Sequence, residues 1–89
     1  MPRRYETDLG SGWTLEVDVK KDDCNREPPH CHLCCRGRRY GQIWLDGCVF
    51  EKLPGDVPNS IINLALSRVA ECGDEMEEVY NYNRMYGAG

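Results

Sequence analysis

From Trp13 the chain alternates. Trp13, Leu15, Val17 and Val19 are apolar while Thr14, Glu16, Asp18 and Lys20 are polar, a period of two that predicts a half-buried strand. His30 to Cys35 reads as a second strand, with His30, His32 and Cys34 on one face and Cys31, Leu33 and Cys35 on the other. Tyr40 to Leu45 is a third, with Ile43 and Leu45 facing one way and Gln42 and Trp44 the other. Asp46-Gly47 carries a type I′ hairpin signal, because both central residues of that turn need positive φ. Cys48 to Lys52 returns as a short fourth strand, closed by Pro54-Gly55.

The period then changes. Ile61, Ile62, Leu64, Ala65, Leu66, Val69, Ala70 and Cys72 recur at helical spacing. Asp56 or Asn59 can cap this helix, and Pro58 is tolerated in its first turn. Gly73 suits a helix end, and Asp74 can cap a second helix to Met85 with Met76, Val79, Tyr80 and Tyr86 on its apolar side. A single bent helix over both segments is the alternative. The pattern predicts an α+β domain, an antiparallel sheet of about four strands covered on one face by one or two C-terminal helices. Residues 13–86 would form the domain, residues 1–12 a flexible lead-in broken at Gly10-Ser11-Gly12, and residues 87–89 a frayed tail.

Charge and cysteine content narrow the function classes. The 89 residues carry 15 acidic and 11 basic side chains, a net charge of −4, which does not favour general nucleic-acid affinity. The charge is uneven. Arg36, Arg38 and Arg39 make a basic turn, and Glu71, Asp74, Glu75, Glu77 and Glu78 an acidic stretch, an arrangement suited to steering a charged partner. Met1-Pro2-Arg3-Arg4 is not followed by an apolar secretory segment, and no apolar run is long enough to span a bilayer, so the expected address is cytoplasmic. In that compartment the six cysteines read as buried apolar groups, metal ligands or reactive thiols rather than disulfides.

The chemistry concentrates in Arg26-Glu27-Pro28-Pro29-His30-Cys31-His32, which holds both histidines. Three readings fit. His30, His32 and Cys34 point the same way from a strand and would bind zinc, with Cys24, Cys31 or Cys35 as a further ligand. His30 and His32 beside Glu27, with Arg36 or Arg38 holding charge, would act as base and acid on a phosphodiester. In the third reading Pro28-Pro29 fixes the chain direction, and the histidines bond the loop or a partner's acidic groups.

The same run resembles a family of small bacterial proteins of unknown function that carry a Glu-Pro-Pro-His-x-His signature. A basic turn, a strand like Gln42-Ile43-Trp44-Leu45 and an acidic, aromatic helical end continue the likeness from Trp13 to Tyr86. Cys31 stands where an apolar residue usually separates the family's histidines. The resemblance implies a two-gene, toxin–antitoxin-like setting, to which a mobile-element or phage accessory system would be similar, and it marks Glu27, Pro28, Pro29, His30, His32 and Trp44 as the positions that matter. The expected function is therefore a small protein-binding module that requires no cofactor. It would use Pro28, Pro29, Arg36, Arg38, Arg39 and Trp44 to hold a small acidic protein. A nuclease or phosphodiesterase and a small zinc-binding domain are the alternatives.

Overall fold

The alternating stretches pair strictly with their sequence neighbours. The computed structural model describes residues 3–20, 28–52 and 55–87. Among the described residues five strands, β1 (Glu6–Gly10), β2 (Trp13–Glu16), β3 (His30–Cys35), β4 (Arg38–Trp44) and β5 (Val49–Lys52), form one sheet in the order β1-β2-β3-β4-β5. Every neighbouring pair is antiparallel. One helix follows, α1 (Asn59–Tyr86). The class is the expected α+β, with one strand more than the alternation indicates.

The extra strand is β1, in the stretch read as a flexible lead-in. Its residues Glu6, Thr7 and Asp8 pair with Glu16, Leu15 and Thr14 of β2. Gly10-Ser11-Gly12 is a hairpin turn rather than a loose break: Ser11 has φ 54° and Gly12 φ 84°, the left-handed pair a two-residue turn requires. Arg36-Gly37 repeats this geometry between β3 and β4, with φ 51° and 83°. The two turns lie side by side, since Arg36 N donates to Gly12 O at 3.2 Å.

Asp46-Gly47 behaves differently from its sequence signal. Trp44 pairs with Val49, so the connection is four residues long, and the left-handed residues are Gly47 and Cys48, not Asp46. β4 also carries an irregularity: Leu33 faces Gly41 and Cys34 faces Arg39, which leaves Tyr40 without a pairing partner on β3.

Helix α1 runs unbroken through Gly73 and Asp74. Glycine costs a helix interior about 1 kcal/mol relative to alanine. Here Ala65, Val69, Met76, Val79, Tyr80 and Asn83 form one buried stripe across the glycine, and burying that stripe outweighs the local cost. Neither Asp56 nor Asn59 caps the helix. Pro58 occupies the cap position, and its carbonyl accepts from Ile61 N and Ile62 N at 3.0 and 3.1 Å. At the other end Gly87 N closes on Asn83 O at 2.8 Å.

The core lies between α1 and one sheet face. Trp13, Leu15, Val17, Cys31, Leu33 and Ile43 meet Ala65, Val69, Met76, Val79 and Tyr80. The cross-strand register puts Thr14 opposite Cys34, Glu16 opposite His32 and His32 opposite Gln42, so these residues share the other face. Among the described residues no helix is long and apolar enough to cross a membrane.

Candidate functional site

The site forms where β2 leaves the sheet and β3 enters it. Asp18 lies two residues past the Glu16–His32 pair, which brings it alongside His30. All three side chains are buried: Asp18 and His32 are 6% exposed and His30 is 2% exposed.

Asp18 is the hub. His32 Nε2 lies 2.8 Å and His30 Nε2 3.3 Å from the same carboxylate oxygen, Oδ2. Arg39 Nη2 donates to the other oxygen, Oδ1, at 2.7 Å. Burial alone would push the Asp18 carboxyl up, but hydrogen bonds from His30 and His32 and the positive charge of Arg39 overcome it and hold the group well below the usual carboxylate range. Asp18 is therefore a buried anion.

The imidazoles are oriented from behind. His30 Nδ1 lies 3.0 Å from the Pro28 carbonyl, which can only accept, so Nδ1 carries the proton. The carbonyl of Pro29 accepts from Leu45 N at 3.0 Å, which ties the double proline to the end of β4. The His30 ring also packs edge-on against Trp44 and Tyr80, each with its centroid 5.3 Å away, and against His32 at 4.9 Å. His32 Nδ1 is buried and has no hydrogen-bond partner among the described residues. Buried polar atoms are rarely left this way without a ligand, an ion or a water to explain them.

Asn83 holds the hub's backbone. This fully buried residue donates from Nδ2 to Asp18 O and Arg3 O, both at 2.8 Å, and accepts at Oδ1 from Arg3 N at 2.7 Å. The far end of α1 thereby fixes the segment that carries Asp18.

The residues marked in the sequence divide into groups. His30 and His32 come together as expected. Cys34 shares their face but stands apart from the metal-competent group, which is Asp18, His30 and His32, with donor atoms all within 4.8 Å of one another. The Cys34 thiol is pushed up to about 12, by burial first and then by a hydrogen bond to Glu16. Cys31 packs in the core, and burial pushes its thiol up to about 12 as well. Pro28 is exposed and Pro29 half-buried. Arg36, Arg38 and Arg39 are all exposed, Arg38 with its guanidinium 5.2 Å from the Tyr40 ring centroid. Trp44 is half-buried, and its Nε1 donates to Glu51 Oε2 at 3.1 Å. Glu27 and Cys24 lie outside the described residues.

Asp18 and Asn83 were missed as site residues. Asp18 had a legible signal: extending the strand alternation two residues past Glu16 places it on the histidine face. Asn83 had none, because its partners lie 65 and 80 residues away.

A cleft of about 440 Å³ opens beside this centre, with Asp18, His32, Cys34 and Arg39 in its wall. No protein-family model matches the chain, and none of the curated proteins or solved structures compared with it is significantly similar.

Proposed function

We propose that Asp18, His30 and His32 bind a divalent transition-metal ion, zinc being the best match to two imidazoles and one carboxylate. The observation that carries this reading is the convergence of three donor atoms within 4.8 Å of one another. Donors about 2.0–2.1 Å from a tetrahedral zinc sit roughly 3.3 Å apart; the His30–Asp18 separation is 3.3 Å and the His32–Asp18 separation, 2.8 Å, would open on metal binding. The surroundings of His30 and Asp18 fit as well. A metal-bound histidine usually gives its other ring N–H to a carbonyl or carboxylate, as His30 does to Pro28, and a ligating carboxylate is itself hydrogen-bonded, as Asp18 is by Arg39.

Charge calls for a cation at the same point. With Nδ1 protonated, a neutral His30 would aim its Nε2 lone pair at the Asp18 carboxylate. The pair becomes favourable when a positive charge lies on or between the two groups. A proton making His30 an imidazolium would satisfy this without an ion, and metal loading separates the two cases. Reduced, stripped protein is dialysed against zinc, and its metal content is measured. The expected result is about one tightly held ion per chain, with affinity falling ~100-fold or more in Asp18→Asn and His30→Gln and unchanged in Cys34→Ser. Retention of less than about a tenth of an ion per chain refutes the metal reading. Loss of binding in Cys34→Ser refutes this choice of ligands.

The exposed turn bearing Arg36, Arg38 and Arg39 favours a second reading: a cytoplasmic protein-binding module whose partner is a small acidic protein, in a toxin–antitoxin-like or accessory pair. Pull-down from the native host with nuclease present tests it. A single small protein retained by the parent and lost from an Arg36→Glu, Arg38→Glu variant supports this reading, and nucleic acid recovered in place of protein rejects it.

A further inference from the structure

The centre offers three protein donors, and a tetrahedral ion takes four. Two of the three residues, Asp18 and His32, belong to the wall of the 440 Å³ cleft. That volume falls in the range of small-molecule sites. The remaining coordination position therefore has room on the cleft side for an exogenous ligand.

The charge of the cleft indicates the ligand's class. Among the described lining residues, Arg4, Lys20 and Arg39 oppose Glu6, Glu16 and Asp18, so the formal charges balance. A divalent ion bound at Asp18 would leave the wall net positive. Arg39 reinforces this. One of its nitrogens is committed to Asp18 Oδ1, yet its side chain is 53% exposed and the residue lines the cleft. A guanidinium presents donors in a planar fork suited to an oxyanion.

We infer that the cleft binds a small oxyanion, a phosphoryl or carboxylate group, between the Asp18–His30–His32 metal ion and the guanidinium of Arg39. This rests on the metal reading above. The ligand completes the metal's coordination with one oxygen and accepts from Arg39 with another. Arg4 and Lys20, also in the lining, supply further positive charge.

Cobalt-loaded protein tests this, because the visible bands of bound Co(II) report a change in its coordination. Inorganic phosphate and acetate are titrated separately. The expected result is a saturable spectral change with at least one of them, phosphate alone or acetate alone identifying which oxyanion source the cleft prefers. Arg39→Gln, kept saturated with cobalt, should bind that anion about tenfold more weakly, while Arg68→Gln, at a residue outside the cleft lining, matches the parent. Bound cobalt whose spectrum neither anion moves overturns this inference and leaves the metal centre standing. An anion response of the same strength in Arg39→Gln overturns the assignment to Arg39. Failure to bind cobalt at all removes the centre and the inference with it.

Discussion

Replacing Asn83 by alanine removes three hydrogen bonds at one stroke. Two go to Arg3, whose surroundings are exposed, so its backbone groups regain water. Each of those contributes toward the low end of the net range, about 0.5–1 kcal/mol. The third, from Nδ2 to Asp18 O, is buried, and its loss strands a carbonyl at a cost of about 1–3 kcal/mol. The sum is about 3 kcal/mol. For a small domain with a urea m-value near 1 kcal/mol per molar, the midpoint should fall by about 3 M. Fluorescence of Trp13 and Trp44 reads the transition. Asn83→Asp sharpens the test. A carboxylate still accepts from Arg3 N but faces the Arg3 and Asp18 carbonyls with oxygen where a donor stood. It should cost at least as much as alanine at neutral pH. An alanine variant within about 1 kcal/mol of the parent would refute the reasoning, as would an aspartate variant of parental stability.

Two glycines should respond to the same substitution in opposite senses. A Cβ on Gly73 would meet only Val69 Cγ1 at 3.9 Å, so Gly73→Ala should stabilise by up to about 1 kcal/mol and raise the melting temperature by roughly 4–8 °C. On Gly41 it would lie 2.7 Å from Phe50 and 2.9 Å from the backbone oxygen of Glu51, so Gly41→Ala should destabilise by about 1–3 kcal/mol. Equal shifts in calorimetry would contradict both. Alkaline pH should weaken the fold. Burial raises the Cys31 and Cys34 thiols from about 9 to about 12, and burial with a bond to Cys72 raises the Tyr5 hydroxyl from 10 to about 12. The folded chain holds these protons more tightly than the unfolded one, so stability is intact below about pH 9 and drains away as pH climbs toward 12. The urea midpoint should drop between pH 8 and 10.5, less steeply in a Cys31→Ala, Cys34→Ala double variant. Parallel slopes for parent and variant would count against the thiols.

Where one face of a strand is buried, its residues advertise the fact. Trp13-Leu15-Val17 and Ile43-Leu45 alternate cleanly because α1 covers their side, and the histidine face follows by parity. β1 did not advertise itself because Glu6-Thr7-Asp8 puts polar groups on both sides of an edge strand, and Leu9 alone of Glu6–Gly10 is buried. Gly73 misled for the opposite reason: its local preference is real, but the stripe from Ala65 to Asn83 is set by the sheet beneath it. The histidine pair was visible at once, yet its hub was not. Asp18 looked like any outward-facing polar residue of a half-buried strand, and only the β2–β3 register shows that two imidazoles rest on it. Cys34 has the spacing of a third ligand, but Glu16 on the neighbouring strand engages its thiol.

Because each strand's partner is the next one along the chain, the sheet can assemble by successive zippering of sequence neighbours. During synthesis the hairpins emerge first, while the residues that roof their greasy side come later. Until about residue 80 has left the ribosome, Leu15, Leu33 and Ile43 lack the Met76–Tyr80 cover, and Asp18 lacks the clasp from Asn83. The nascent sheet is thus the vulnerable species, exposed to aggregation and proteolysis for the time it takes to translate one helix.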